Sequence, residues 1–168
     1  ATTSEPLDTR FLLQNLAARY PSCWTFAVDG LVGATPELLL ERTGYEVRSR
    51  VLAGTTWPRE GHSTEELAAE LLASEKNREE HACAAESLAV RLRPFCSDLI
   101  TPDEPEVLQL RNVLHLATHV EGKLSDADGR AATLLRMAAA VHPTAAVGGT
   151  PTPDAVQLIS ELETMDRG

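Results

Sequence analysis

The sequence predicts an α+β fold, and three observations carry this prediction. Strand and hairpin signals are concentrated in the first third of the 168 residues, where the turn dipeptides Asp29-Gly30 and Thr43-Gly44 separate apolar runs. Long stretches with the helical spacing of apolar residues follow. Because the strands cluster and do not alternate strictly with helices, we expect strands and helices to be segregated along the chain.

The first third is predicted to hold one helix and a strand meander. Residues 7–20 have apolar side chains on one helical side, and a proline follows to end the helix. Residues 24–33 predict a β-hairpin, because Asp29-Gly30 is a strong signal for a two-residue turn. Residues 38–40 form a short apolar run, and residues 45–52 alternate as a strand with one face in water does.

One long helix is predicted to follow the meander. Ser63 and Glu66 have the spacing of a capping box at its start, and Pro94 ends it. The apolar stripe along this helix is interrupted near Ser74.

A strand and two helices are predicted for the rest of the chain. Residues 113–120 alternate like a strand, and residues 127–141 are typical of a helix rich in alanine and leucine. The last helix is expected to run through Leu162, with Thr152 as its N-cap and Pro153 as its first residue.

Composition and charge exclude several classes of protein. Fifteen basic against 25 acidic residues give a net charge of −10, whereas a nucleic-acid binder needs a basic face. No apolar run is long enough to span a bilayer, and the first ten residues do not resemble a signal peptide. The three cysteines lack a CxxC pair, which is typical of a reducing compartment without structural zinc. We therefore expect a soluble, cytoplasmic protein that contacts neither nucleic acid nor membrane.

Glu37 is the most informative carboxylate. It lies after the hairpin and before an apolar run, and apolar surroundings raise a carboxyl pKa until the group can donate a proton near neutral pH. A simpler interpretation, favoured by local sequence alone, makes Thr35-Pro36-Glu37 a helix start.

Glu80 is a candidate ligand for Mg²⁺. It lies in the mid-helix segment Glu79-Glu80-His81, which is expected to lie off the apolar stripe and has small neighbours. Mg²⁺ accepts one or two carboxylates together with substrate oxygens and water. The alternative explanation is that Glu80 and the acidic residues around it form a helix face in contact with solvent. The local sequence favours this alternative.

His115 and His119 form an H-x-x-x-H pair that we do not assign to zinc. The alternation around them predicts a strand, on which the two side chains would stand about 13 Å apart. A lone histidine such as His115 is more often structural than catalytic.

Two glycine turns could expose backbone N–H groups to an anion. Gly54 and Thr55 end a predicted strand, and Gly148 opens a Gly-Gly-Thr turn before a predicted helix. Neither turn has a phosphate-binding fingerprint, so each is also explained as a tight turn.

The candidate residues lie in five ordered sequence blocks. These are GATPELL at 33–39, LAGT at 52–55 with Arg59, LASEK through EEH at 72–81, LHLAT at 114–118 with Glu121-Gly122, and HPTAAVGGTP at 142–151. The first block resembles the GA[ST]PELL element of the chorismate-utilising enzymes, which include isochorismate, anthranilate and salicylate synthases, and the other blocks resemble that family in the same order. The resemblance implies a fold of large antiparallel sheets packed with flanking helices.

Among these enzymes the chain is most similar to isochorismate synthases. The segment after Glu80-His81 lacks the V-D-L-x-R-N-D run of anthranilate synthase-like members, and residues 142–151 resemble isochorismate synthases. Salicylate synthase is the second candidate within the family. The resemblance leaves open whether the product enters menaquinone or siderophore biosynthesis.

The resemblance implies a set of roles in a Mg²⁺-dependent reaction on chorismate. In that reaction water adds at C2 while the 4-hydroxyl departs. Glu37 matches the general acid and Glu80 a Mg²⁺ ligand. Gly54, Thr55 and Gly148 match substrate contacts, and His115 matches a histidine that lines the pocket.

Residues 1–168 are expected to be the central portion of a single chorismate-binding catalytic domain. The family's lysine base lies in a K-V-V-x-A-R element that neither Lys76 nor Lys123 occupies, and its C-terminal metal glutamate has no counterpart here. We therefore expect the chain to need the remainder of its own polypeptide as a partner and to be inactive alone. A non-catalytic fragment that acts only as an interaction module is the alternative.

Overall fold

The structure, a computed structural model, describes residues 7–126 and 131–164. The chain divides into two compact units, Ala1–Leu38 and Leu39–Gly168. Helices and antiparallel strands make up both units, which confirms the predicted α+β class. Among the described residues, no helix has the length and apolarity that crossing a membrane requires.

The first unit contains a helix packed on a β-hairpin. Helix α1 (Thr9–Arg19) contacts both strands of the hairpin, β1 (Trp24–Val28) and β2 (Leu31–Thr35). The turn between the strands has positive φ at Asp29 (46°) and Gly30 (88°), as a two-residue hairpin turn requires. The helix and the hairpin predicted from the sequence are thus confirmed.

The second unit is built on a five-stranded sheet. Its strands are β3 (Leu38–Thr43), β4 (Glu46–Thr56), β5 (Cys96–Ile100), β6 (Glu106–Gln109) and β7 (Leu114–Leu124). β4 lies beside β3 and pairs antiparallel with β7. The other edge of β7 is shared, because β6 pairs with its first half and β5 with its last part. β7 is therefore the central strand of the unit.

The prediction of one long helix up to Pro94 is wrong, because the segment forms two helices. α2 (Thr64–Ala73) begins with the predicted capping box, and α3 (Glu75–Leu92) follows after a break at Ser74. Ser74 has extended backbone angles, and its hydroxyl accepts hydrogen bonds from the backbone and side-chain N–H groups of Asn77. A residue in this conformation ends one helix and caps the next.

Three further helices follow β7 in the described part of the chain. They are α4 (Leu134–Val141), α5 (Ala145–Gly148) and α6 (Thr152–Leu162). The helix expected over 127–141 begins only at Leu134, where Thr133 is the N-cap, and residues 127–130 lie outside the described part. The expected N-cap role of Thr152 is also wrong, because its hydroxyl donates to the carbonyl of Gly149 and Pro151 takes the cap position.

Helices α2 and α3 cover one face of the sheet. Leu67 and Leu71 of α2 are buried against Leu114 and Leu116 of β7. The larger core cluster joins α3, α4, β4 and β7 through Leu88, Leu92, Met137, Val47 and Val120. Each fully buried side chain of this size contributes about 1.5–3 kcal/mol, so this packing fixes α3 relative to the sheet.

Candidate active site

Glu37 lies in the first unit, in the short connection between β2 and β3. Its side chain is half-buried, and its backbone N–H donates to the Thr35 hydroxyl at 3.2 Å. The helix-start interpretation is wrong, because strand β3 begins at the next residue, Leu38. Its role as an acid stays a prediction.

A bulge in β4 shapes the second group of candidate residues. The register with β7 shifts between Ala53 and Thr55, and Gly54 between them has φ +76°. A bulge redirects the side chains that follow it. As a result Thr55, which comes after the bulge, lies opposite His115.

His115 bonds directly to this bulge. Its Nδ1 lies 2.9 Å from the Thr55 hydroxyl, and its ring also bonds to the backbone of Gly54. Burial lowers the pKa of His115, against the smaller opposing effect of the Gly54 bond. The imidazole is therefore neutral at pH 7. The hydrogen bonds also show that three predicted site residues, Gly54, Thr55 and His115, are in contact.

The His115/His119 pair is confirmed as part of a strand, which supports the rejection of zinc. Both histidines belong to β7. His119 instead bonds through Nε2 to the Glu106 carboxylate at 3.1 Å.

Gly54 also brings helix α3 to the bulge. A Cβ at Gly54 would lie 3.1 Å from Asn77 Cβ and 3.3 Å from the Asn77 carbonyl oxygen. Asn77 precedes Glu80 by three residues, so their side chains are neighbours on one flank of α3. Glu80 is therefore about one helical turn from the contact between Asn77 and Gly54, and its side chain is exposed.

Glu80 fits Mg²⁺ by the kind of donor it offers. No group of three or more His, Cys, Asp or Glu residues that could hold a metal occurs among residues 7–126 and 131–164. Mg²⁺ does not need such a cage, because substrate oxygens and water complete its coordination around one or two carboxylates. A site with Glu80 as one ligand would therefore depend on oxygens from elsewhere.

A large cavity beside α3 does not include these candidate residues. It has a volume of about 830 Å³ and lies on the other flank of α3, between Glu79, Ala82 and the loop of residues 101–105. A smaller cavity of about 320 Å³ contains Thr55 and Asn77. Of the candidate residues, Thr55 is the one that lines this smaller cavity among the described residues.

Gly148 belongs to a helix that packs against a different part of α3. It ends α5, which packs against α3, and a Cβ at Gly148 would lie 3.0 Å from the ring of Pro143. Arg91 of α3 donates to the Pro143 carbonyl at 2.8 Å and to the Thr152 hydroxyl. The Gly148 segment is thereby fixed about 16 Å along the helix from Glu80, at 1.5 Å per residue.

The expectation of free N–H groups is wrong at Gly148 and Gly149. Their N–H groups donate to the carbonyls of Thr144 and Ala145, because the residues end a helical turn. A contact between Gly148 and a substrate stays a prediction.

His81 is the residue that sequence reasoning missed. Its side chain is only 2% exposed, although we expected the Glu79-Glu80-His81 segment to lie off the apolar stripe. One signal could have found it. His81 stands four, seven and eleven residues before Ala85, Leu88 and Leu92, which is the spacing of one buried helix face.

We expect Gly54→Ala to destabilise the second unit by about 1–3 kcal/mol, because alanine is strained at positive φ and its methyl would crowd Asn77. Urea unfolding measures the effect. Gly44→Ala is the matched control, since Gly44 also has positive φ but nothing near the added methyl. Equal losses in the two variants would show that the contact with α3 is unimportant.

A sequence profile of the family described as chorismate binding enzyme matches residues 1–168. The chain belongs to the chorismate-binding enzyme family. Its likeness to individual members of the family extends over nearly all of its residues. It is 42% identical over 180 residues to isochorismate synthase DhbC of Bacillus subtilis, with 99% of this chain covered.

Solved structures of family members agree with this assignment. The crystal structure of DhbC from Bacillus anthracis has a TM-score of 0.88 and 37% identity, and covers 98% of this chain and 46% of that one. The structure of MenF, the menaquinone-specific isochorismate synthase of Escherichia coli, has a TM-score of 0.83 and 28% identity. The match covers 98% of this chain and 38% of MenF. The chain spans 44% of the length of the Bacillus subtilis relative.

Proposed function

We propose that the full-length protein containing this chain is an isochorismate synthase that isomerises chorismate to isochorismate. One observation carries the proposal. Gly54, Thr55 and His115 are in contact at the β4 bulge, beside the helix that bears Glu80. These residues belong to the sequence blocks that resemble isochorismate synthases.

In this proposal Glu37 donates the proton that the departing 4-hydroxyl of chorismate requires. A carboxyl group can do this near neutral pH only if its surroundings favour the protonated form. Its half-buried place between two strands supports the role. The hydrogen bond from the Glu37 backbone N–H to the Thr35 hydroxyl restrains the backbone from which this side chain extends.

Glu80 is proposed to hold Mg²⁺, which supplies positive charge against a carboxylate of the substrate. The exposure of the Glu80 side chain leaves it open to a cation and to a substrate. The neutral ring of His115 adds no positive charge of its own at pH 7. His115 is therefore proposed to line the pocket and to orient the Thr55 hydroxyl toward the substrate.

The product distinguishes this proposal from its alternatives. We expect chromatography of a reaction with chorismate and Mg²⁺ to yield isochorismate, and excess chelator to abolish its formation. Salicylate together with released pyruvate would instead identify a salicylate synthase. Conversion that continues undiminished in excess chelator would contradict the magnesium requirement.

A non-catalytic interaction module is tested by binding. We expect calorimetry with Mg²⁺ to detect chorismate binding to the full-length protein. If chorismate does not bind and no product forms, the isochorismate synthase proposal is wrong, and the interaction module is the alternative to pursue.

We further propose that the protein acts in the cytoplasm. Cys23, Cys83 and Cys96 are all free thiols, which is the usual state in a reducing compartment. Cell fractionation with an antibody to the protein tests this location.

A further inference from the structure

A buried histidine connects the three elements that carry most of the candidate site. His81 of α3 bonds through Nδ1 to the carbonyl of Ala53 on β4 at 3.0 Å, and through Nε2 to the hydroxyl of Thr118 on β7 at 2.8 Å. Its side chain is 2% exposed, so water does not compete for either bond. Both ring nitrogens are thus used inside the protein.

The partners of His81 determine its tautomer. A carbonyl oxygen only accepts hydrogen bonds, so Nδ1 must carry the proton that the Ala53 carbonyl accepts. In the neutral ring Nε2 then has a lone pair, and the Thr118 hydroxyl donates to it. Reversing the tautomer would set the unprotonated Nδ1 against a carbonyl oxygen, so this arrangement holds the ring in one orientation.

The positions of the bonded atoms relate His81 to the candidate site. The Ala53 carbonyl directly precedes Gly54, where the β4 bulge begins. Thr118 lies three residues after His115 on the same strand. Glu80 is the neighbour of His81 in the chain, so the rotation of α3 that buries His81 also determines which way Glu80 faces.

We propose that His81 is a positioning residue for chorismate, which holds the bulge at Gly54 and Thr55 in register with His115 through its bond to the Ala53 carbonyl. This inference rests on the proposed function. It goes further by assigning a task to a residue that does not touch the substrate. His81 acts through the backbone of β4, and we therefore expect its loss to change substrate affinity more than turnover.

Three variants of His81 separate the effect of its hydrogen bond to Ala53 from the effect of its side-chain volume. His81→Asn places an amide nitrogen where Nδ1 stands, His81→Gln places one where Nε2 stands, and His81→Phe keeps the volume without either bond. In the full-length protein we expect His81→Asn to keep KM for chorismate within about threefold of wild type. We expect the other two to raise KM by about 10- to 100-fold, the loss of affinity that follows when one hydrogen bond to a charged substrate group is not made.

Ser49→Ala is the matched control for a merely structural role. Ser49 is also buried on β4 and donates to the carbonyl of Leu39 at 2.8 Å, but it lies away from the bulge. We expect this variant to lower the melting temperature without changing KM. If His81→Gln and His81→Phe leave KM unchanged, or if Ser49→Ala raises it as much as they do, the positioning role is wrong.

Nitrogen-15 NMR of the histidine rings tests the bond independently of activity. We expect the signal that disappears in His81→Asn to be that of a neutral ring with its proton on Nδ1. A proton on Nε2 would overturn the inference, even if the Gln and Phe variants do not fold. Absence of isochorismate formation by the wild-type protein would instead contradict the proposed function, while the NMR result still decides the Ala53 bond.

Discussion

Replacing Glu37 with glutamine in the full-length protein is expected to lower kcat for isochorismate formation by about 10²- to 10⁴-fold. Glutamine has nearly the shape of protonated glutamic acid but cannot supply the proton that the departing hydroxyl needs. We expect KM to change little, because the amide preserves the side-chain volume. Steady-state kinetics with chorismate, followed by chromatography of the product, measures both constants.

Glu41→Gln is the control for this variant. Glu41 is exposed on β3, four residues after Glu37, so the same substitution is made close by in the chain at a residue without a role in the proposed chemistry. We expect its kcat to equal that of the wild type. Full turnover by Glu37→Gln would rule out Glu37 as the general acid.

Replacing Glu80 with glutamine is expected to have the second-largest effect, a loss of about 10²- to 10³-fold in kcat/KM at a fixed Mg²⁺ concentration. The amide keeps an oxygen but removes the negative charge that attracts a hard cation. Part of the activity should therefore return as Mg²⁺ is raised. Titrations of activity and of calorimetric heat against Mg²⁺ measure this shift.

Glu79→Gln offers a closely matched comparison. Glu79 is the preceding residue on α3, has the same carboxylate side chain, and borders the large cavity on the other flank of the helix. We expect its Mg²⁺ dependence to match that of the wild type. If both variants shift the Mg²⁺ dependence equally, the effect arises from the general negative charge of the helix and not from a ligand at Glu80.

Much of the fold could be predicted because its signals are local. The Asp29-Gly30 turn needs positive φ at both residues, and the capping box at Ser63 joins groups three residues apart. Strands β5 and β6 could not be predicted in this way. They are only five and four residues long, and their pairing with β7 depends on residues distant in sequence.

Only part of the candidate site could be predicted from the sequence. Ordered sequence blocks identified Gly54, Thr55 and His115, and the structure brings these three residues into contact. The blocks could not reveal that a bulge aligns them. The local sequence placed His81 in an exposed acidic segment. It could not show that His81 is buried, because this burial depends on contacts with β4 and β7.

The α+β class, the order of the main elements and the resemblance to chorismate-utilising enzymes could all be predicted from the amino-acid sequence. These properties follow from turn chemistry, periodicity and short motifs, all of which are local. The folded structure was needed to show that Gly54 packs on α3, that Thr55 lies opposite His115, and that His81 connects the helix to both strands. Such contacts could not be predicted, because a buried hydrogen bond or a close backbone contact joins residues tens of positions apart and no local pattern records the partner.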